Sequence, residues 1–257
     1  MKKYICIVII LLGIVCSMIC LAGKDMEEEK NYSVMYSWNN DIFEQSNSLE
    51  LLKDNNINVV YQFFNKDFDY NLLDKFKDID FYYLCGERDW IDDDISLIKK
   101  EIDYVYEVNK EKNFLKGIVF DIEPYVNNKD NFDFKKYVRA FEKSYKYAKS
   151  KGIKMIICIP TWFNTIDEEL LEKLIFNSDG VSLMNYDTKY TLENIKEEVE
   201  YAKKYNKEIN TIYELDFSKD YFKSMDEIKE DFSKIEKYYR YDKLTISYHY
   251  FTNLVEK

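Results

Sequence analysis

Short apolar runs alternate with longer amphipathic stretches from residue 32 onward. A short apolar run bounded by turn residues is typical of a buried strand, whereas apolar residues spaced three and four apart are typical of one helix face. The pattern predicts strands over residues 32–38, 57–64, 79–85, 115–123, 154–159, 180–185, 208–215 and 244–250. It predicts helices between them over residues 49–55, 70–77, 94–109, 134–151, 168–176, 192–205 and 225–239.

Regular alternation of strand and helix indicates a parallel sheet, and eight such units close into a (β/α)8 TIM barrel. The 257 residues suit one domain of this kind. An open doubly wound sheet is the alternative, but it usually carries a glycine-rich phosphate loop, and the six glycines form none. Only seven residues follow Tyr250, so we expect the final helix to be reduced or missing.

The N-terminal segment has a different character. Lys2 and Lys3 precede an uncharged run over residues 4–22, and acidic, polar sequence follows. This pattern predicts a signal peptide or a membrane anchor over residues 1–22, a linker over 23–31, and a barrel domain over 32–257. We therefore expect the barrel to work outside the cytoplasm, secreted or held at the outer face of the cell membrane.

Composition narrows the range of partners. The net charge is −11 and no basic stripe is present, which argues against a nucleic-acid partner. His249 is the single histidine, so the multi-histidine metal centres of some barrel hydrolases are excluded, and we predict neither a metal nor another cofactor. Cys85 and Cys158 fall in different predicted strands and are expected to be buried thiols. The sequence leaves the oligomeric state open.

The fourth predicted strand carries the most informative chemistry. Asp121 and Glu123 lie two residues apart, so both point to one side of the strand, and Pro124 ends it. Mutual repulsion and burial of two carboxyls raise a pKa, which provides a proton donor near neutral pH. A pair of strand-end caps bonded to loop amides is the structural alternative.

Active sites of TIM barrels lie at the carboxyl ends of the strands. Aromatic rings and planar polar groups occur at these ends, and both suit sugars, whose faces stack while their hydroxyls form hydrogen bonds. We therefore predict a glycan ligand. The residues predicted to bind it are Trp38, Gln62, Trp162, Asn185, Glu214 and Tyr248.

Two segments resemble family 18 glycoside hydrolases, the chitinase and endo-N-acetylglucosaminidase group. Residues 117–123, Gly-Ile-Val-Phe-Asp-Ile-Glu, resemble the family's strand-four signature, and residues 179–187 resemble its strand-six signature, which ends in Met-x-Tyr-Asp. The resemblance implies a retaining, substrate-assisted hydrolase of β-linked N-acetylhexosamine glycans such as chitin or peptidoglycan. Glu123 would be the acid/base and Asp121 would orient the acetamide, with Tyr186 and Asp187 also holding it.

The sequence departs from this family at two positions, because Lys116 and Val119 stand where the signature has aspartates. Two alternatives therefore remain open. One is a retaining glycosidase with two carboxylates, Glu123 and Glu214, on strands four and seven. The other is a catalytically degenerate, glycan-binding barrel at the cell surface. The run Asp-Ile-Glu-Pro-Tyr also looks like that of extracytoplasmic barrel proteins related to glycosidases.

Overall fold

A computed structural model describes residues 32–126, 131–186, 189–216 and 222–255. All of them belong to one compact unit, Tyr32–Lys257. Eight parallel strands form a closed barrel in chain order, which confirms the predicted (β/α)8 architecture. The strands are β1 Ser33–Ser37, β2 Ile57–Gln62, β3 Asp80–Cys85, β4 Ile118–Phe120, β5 Met155–Pro160, β6 Gly180–Met184, β7 Glu208–Glu214 and β8 Leu244–His249.

Helices cover the outside of the barrel. They are α1 Asp41–Glu44, α2 Ser48–Asp54, α3 Ser96–Val108, α4 Phe134–Ser150, α5 Glu168–Phe176, α6 Lys196–Tyr205, α7 Met225–Tyr239 and α8 Phe251–Val255. Helices α5 and α7 have the predicted bounds, and the five-residue α8 is the reduced final helix. Three short 3-10 helices, Tyr70–Lys75, Thr161–Thr165 and Glu193–Ile195, complete the described helical elements.

Side-chain caps explain where three of the outer helices begin. The carboxylate of Asp133 accepts a hydrogen bond from the amide of Lys136 at the start of α4, and Asp167 does the same for Leu170 at α5. The hydroxyl of Ser224 accepts from the amide of Glu227 at α7. Each cap satisfies one of the amides that a first helical turn leaves without a partner.

The strands separate two hydrophobic layers. Inward-facing residues, among them Val34, Tyr61, Leu84, Val119 and Ile212, fill the barrel interior. The alternate residues face outward and pack with the helices in a larger cluster. Side chains alternate between the two faces of a strand, so adjacent residues at the end of a strand belong to different layers.

A polar layer crosses the barrel interior below its carboxyl end. The hydroxyl of Tyr36 lies 3.1 Å from Cys158 Sγ and 2.5 Å from Ser182 Oγ. Ser182 and Ser247 both donate to the amide oxygen of Asn210. Asn210 Nδ2 in turn donates to the hydroxyl of Tyr61, at 3.2 Å. These bonds satisfy polar groups that would be costly to bury alone.

The predicted signal or anchor segment, residues 4–22, lies outside the described residues, and the domain boundaries at its end remain predictions. Within the described ranges, no helix is both long and apolar enough to cross a lipid bilayer. The two predicted buried thiols are indeed free and buried: Cys85 and Cys158 lie in β3 and β5.

Candidate active site

Strand β4 is shorter than predicted, and the chain beyond it carries the two acids. The ladder ends at Phe120, whereas the sequence pattern predicted a strand to residue 123. Val119 is fully buried in the barrel interior. Because inward-facing positions recur every second residue, Asp121 and Glu123 continue this face into the carboxyl end of the barrel, here called the mouth. The amide of Asp121 still bonds to the carbonyl of Cys85, at 2.9 Å.

Gly86 allows β3 and β4 to approach each other at Asp121. A Cβ atom at position 86 would lie 2.0 Å from the carbonyl oxygen of Asp121 and 2.4 Å from its carbonyl carbon. No side chain fits at such a distance from backbone atoms, so only glycine permits this contact. The position of the Asp121 backbone therefore depends on a glycine in the neighbouring strand's loop, which sequence analysis did not identify as part of the site.

The carboxyls of Asp121 and Glu123 influence each other's pKa and are linked by a hydrogen bond. Burial raises the pKa of Asp121 to about 7, and the charge of Glu123 and a hydrogen bond to it act in the same direction. Burial also raises the pKa of Glu123, although the positive charges of Arg88 and His249 and the bond to Asp121 oppose that rise. One oxygen of Asp121, Oδ1, is buried without any hydrogen-bond partner.

Among the described residues, no lysine, arginine or histidine forms a salt bridge with Glu123. Arg88 is exposed in the loop that follows β3, and its charge influences Glu123 without a direct ion pair. Glu123 is therefore available to a ligand.

Two tyrosines lie next to the acid pair. Burial strongly raises the pKa of Tyr186, and the negative charges of Asp121, Glu214 and Glu123 add to the effect, which places its hydroxyl within the influence of all three carboxyls. Tyr125 is buried beside Asp121 and Glu123, and its hydroxyl has no hydrogen-bond partner. The structure thus brings the predicted Tyr186 to the acid pair, while the predicted Asp187 lies outside the described residues.

A second pair of titratable groups lies at the ends of β7 and β8. The register of these strands places Glu214 opposite His249, and His249 Nδ1 lies 3.3 Å from Glu214 Oε2. The other oxygen of Glu214 accepts from the amide of Asp216 at 3.2 Å and from Asn253 Nδ2 at 3.4 Å. The predicted Glu214 therefore reaches the mouth, together with a histidine that sequence analysis did not include among the binding residues.

Both predicted tryptophans follow the carboxyl ends of strands, Trp38 after β1 and Trp162 after β5. Trp38 is half-buried and packs against the interior cluster. Trp162 is half-buried against Tyr125, with ring centroids 5.1 Å apart and nearly perpendicular. Trp162 packs against the outer cluster and Trp38 against the interior one, and both rings remain partly exposed.

Three other predicted binding residues do not face the mouth. Gln62 is fully buried, and its amide nitrogen bonds to the carbonyls of Asn39 and Phe63 at 2.7 and 2.6 Å. Asn185 is also buried; its amide nitrogen donates to the Thr191 carbonyl and to the Thr211 hydroxyl of β7, and its amide oxygen accepts from Asn194. Tyr248 is 1% exposed and packs in the outer cluster. A ring buried on both faces offers no surface for stacking, so Tyr248 is not a sugar platform in this structure.

At the two positions where the family 18 signature has aspartates, the structure shows Lys116 in an ion pair and Val119 in the barrel interior. Lys116 lies before β4 and forms an exposed ion pair with Asp80, at 3.4 Å. Val119 is completely buried in the interior cluster. Along this segment, Asp121 therefore has a carboxyl neighbour two residues after it, Glu123, and an apolar neighbour two residues before it, Val119. The described residues contain no group of three acids, cysteines or histidines that could hold a metal ion.

Comparisons with known proteins agree on the fold. Neither protein-family profiles nor curated sequences match this chain. Solved structures do match. A candidate α-L-fucosidase from Bacteroides thetaiotaomicron aligns with a TM-score of 0.57 at 13% identity, over 88% of this chain and 90% of that one. The PgaB (BpsB) glycoside hydrolase domain of Bordetella bronchiseptica aligns with a TM-score of 0.54 at 9% identity, over 87% and 95%.

A third match is Aspergillus fumigatus Ega3, solved in complex with galactosamine, with a TM-score of 0.53 at 8% identity, over 87% and 91% of the two chains. The C-terminal domain of a candidate chitinase from Desulfitobacterium hafniense reaches 0.50 at 13% identity, and this chain spans 66% of that domain's length. At such identities the matches show that the chain has the TIM-barrel fold found among glycoside hydrolases.

Proposed function

We propose that this protein is an extracytoplasmic glycoside hydrolase that cleaves β-linked N-acetylhexosamine glycans, such as chitin or peptidoglycan, with retention of configuration. The observation that carries the proposal is the hydrogen-bonded Asp121–Glu123 pair at the mouth of the barrel, where burial raises the pKa of both carboxyls. Such a pair supplies an acid that is protonated at neutral pH and a partner that becomes charged when the proton moves.

Binding of an acetamide would shift a proton from Asp121 to Glu123. Asp121 Oδ1 is a buried acceptor without a partner, so it suits the N–H of a substrate acetamide. A hydrogen bond from the acetamide N–H stabilises the charged form of Asp121. The proton of Asp121 therefore moves to Glu123. Glu123 protonates the glycosidic oxygen while the acetamide oxygen attacks the anomeric carbon and the bond to the leaving group breaks. Glu123, now charged, accepts a proton from the water that opens the cyclic intermediate.

The surrounding residues have roles in the same proposal. The Tyr186 hydroxyl lies near both acids and is suited to hold the acetamide oxygen as it attacks. Asp187 follows it in sequence and would hold the acetamide nitrogen, as the resemblance to family 18 implies. Trp38 and Trp162 would stack on sugar faces. Gln62, Asn185 and Tyr248 would support the mouth from the outer layer rather than bind the sugar.

The valine at position 119 bears on the rate of the proposed hydrolysis. A carboxyl at this position would give Asp121 a second proton-sharing neighbour, whereas the valine gives it none. Asp121 must therefore exchange its proton with Glu123 alone. The fold shared with the PgaB glycoside hydrolase domain and with Ega3, whose structure contains galactosamine, supports a hexosamine ligand without defining its acetylation.

Glu123→Gln tests the proposal. The change keeps size and hydrogen bonding but removes the proton donor, so we expect hydrolysis of an N-acetylglucosamine oligomer to fall by at least a hundredfold. Glu208→Gln is the matched control, because Glu208 begins β7 at the opposite end of the barrel and pairs with Lys154. Hydrolysis that survives Glu123→Gln would refute the assignment. Binding without hydrolysis by the unchanged protein would instead favour the glycan-binding alternative.

One observation supports the alternative with Glu214 as nucleophile. Glu214 reaches the mouth, where its negative charge contributes to the raised pKa of Tyr186. Both mechanisms retain configuration, so product stereochemistry does not separate them. The acetamide does, because a substrate-assisted reaction requires it and a carboxylate nucleophile does not. Equal cleavage of N-acetylated and non-acetylated oligomers, combined with inactivity of Glu214→Gln, would favour the two-carboxylate mechanism.

A further inference from the structure

His249 is the chain's single histidine, and Glu214 orients its side chain through the Nδ1 edge of the ring. Nδ1 lies 3.3 Å from Glu214 Oε2, and the side chain of His249 is 27% exposed. Glu214 is itself only 12% exposed and is fixed by the Asp216 amide and by Asn253. A carboxylate held by two further donors gives the imidazole a rigid anchor, which is how many functional histidines are oriented.

Aromatic rings restrict the imidazole on its other sides. Its centroid lies 6.0 Å from the Tyr36 ring, 6.2 Å from the Tyr186 ring and 5.2 Å from the Tyr250 ring. Tyr36, Tyr186 and Tyr250 all belong to or pack against the interior cluster. His249 therefore lies within the mouth, next to the tyrosine that approaches the acid pair, and its charge also influences Glu123.

The bond to Glu214 fixes the chemistry of the remaining nitrogen. A carboxylate accepts, so Nδ1 carries the proton in the neutral ring and Nε2 is left as an acceptor; in the charged ring Nε2 is a donor. Among the described residues, Nε2 has no hydrogen-bond partner. A polar atom without a described partner, on an oriented and partly exposed ring in a mouth lined by aromatic and acidic groups, is suited to a polar ligand.

We propose that His249 is a sugar-binding residue, whose Nε2 forms a hydrogen bond with a ring hydroxyl of the glycan beside Tyr186. This inference rests on the proposed function and extends it, since it assigns one specific contact to the substrate. Glu214 then acts as a positioning residue, holding the imidazole so that Nε2 rather than Nδ1 faces the ligand.

Binding measured in a catalytically silent background tests this contact. The protein with Glu123→Gln is titrated with N-acetylglucosamine oligomers by calorimetry, and then compared with the same protein carrying in addition His249→Phe or His249→Gln. Phenylalanine keeps a planar ring and removes the nitrogens, and glutamine restores a polar group. Loss of one hydrogen bond predicts a three- to tenfold weaker affinity for the phenylalanine variant, with partial recovery in the glutamine variant.

Glu214→Gln in the same background keeps the imidazole and loosens its anchor, so it tests the contact even if His249→Phe fails to fold. It should weaken binding about two- to threefold, the lower end of the effect of one hydrogen bond, while Glu208→Gln should not. Equal affinity for the Glu123→Gln protein with and without His249→Phe would overturn the His249 contact and leave the proposed function standing. Absence of any oligomer binding by the Glu123→Gln protein would overturn the proposed function, and this contact with it.

Discussion

Glu198, near the start of α6, is a buried acid without a hydrogen-bond partner, and it makes the stability of the protein depend on pH. It is 0% exposed, and neither carboxyl oxygen has a partner from another residue. Burial raises its pKa from 4.5 to about 8; the amide of its own residue opposes the rise slightly, and the charge of Glu197 adds to it. Glu198 is therefore protonated in the folded protein at neutral pH.

The sign and size of the effect follow from this raised pKa. Between pH 4.5 and about 8, the folded state keeps a proton that the unfolded state has released, so the free energy of unfolding falls as the pH rises. One pH unit is worth about 1.4 kcal/mol per proton, so the full effect is about 4–5 kcal/mol. The stabilisation is complete below pH 4.5 and is lost by the time the pH exceeds 8.

Glu198→Gln isolates this contribution, because glutamine cannot ionise. Urea denaturation of both proteins from pH 5 to pH 9 should show the free energy of unfolding decreasing more steeply for the unchanged protein, with a difference that grows by about 3–5 kcal/mol. The amide adds only an offset that does not depend on pH. Glu200→Gln, on an exposed part of α6, controls for loss of an acid from this helix. Parallel pH curves for the unchanged protein and Glu198→Gln would refute the reasoning.

Three other predictions concern the site. Gly86→Ala places a Cβ 2.0 Å from the Asp121 carbonyl oxygen, so it should reduce kcat/KM by at least tenfold and lower Tm. Gly152→Ala, in open space at φ +69°, should cost only about 1 kcal/mol and leave activity unchanged; similar behaviour of both variants would contradict this. Arg88→Gln removes a positive charge that lowers the pKa of Glu123, so the alkaline limb of the pH profile of kcat/KM should move to higher pH. Arg88→Lys keeps the charge and should not shift this limb. An unmoved limb in Arg88→Gln would count against Glu123 as the acid. Tyr125→Phe removes a buried hydroxyl without a partner, so unfolding by urea should show equal or greater stability, by up to about 1 kcal/mol; a marked loss would show that the hydroxyl has a partner.

The architecture and the acid pair were predictable from sequence because both rest on local patterns. Strand-helix alternation defines the barrel, and a spacing of two defines the shared direction of Asp121 and Glu123. The shortened β4 was not predictable in the same way. Residues 121–123 continue the alternation of the strand, and the end of the ladder at Phe120 depends on the partners available in β3 and β5.

The predicted binding residues that the structure buries, Gln62, Asn185 and Tyr248, share one physical origin. Strand ends were recognised, but which of two adjacent residues faces inward depends on strand register. In β8 the pattern held a usable signal, because Leu244, Ile246 and Tyr248 form an apolar face and the alternate positions are polar up to His249. Applied to β8, this alternation selects His249 rather than Tyr248. Gly86 gave no comparable signal, since its role depends on contact with another strand.

The polar layer beneath the mouth has a consequence for how the protein adapts. Its hydrogen bonds run between six of the eight strands, from Tyr36 in β1 and Tyr61 in β2 to Cys158, Ser182, Asn210 and Ser247 in β5 through β8. A change in any one member leaves a buried polar group without its partner, which costs free energy. Substitutions in the loops above this layer avoid that cost, so ligand preference can be altered there without disturbing the barrel interior.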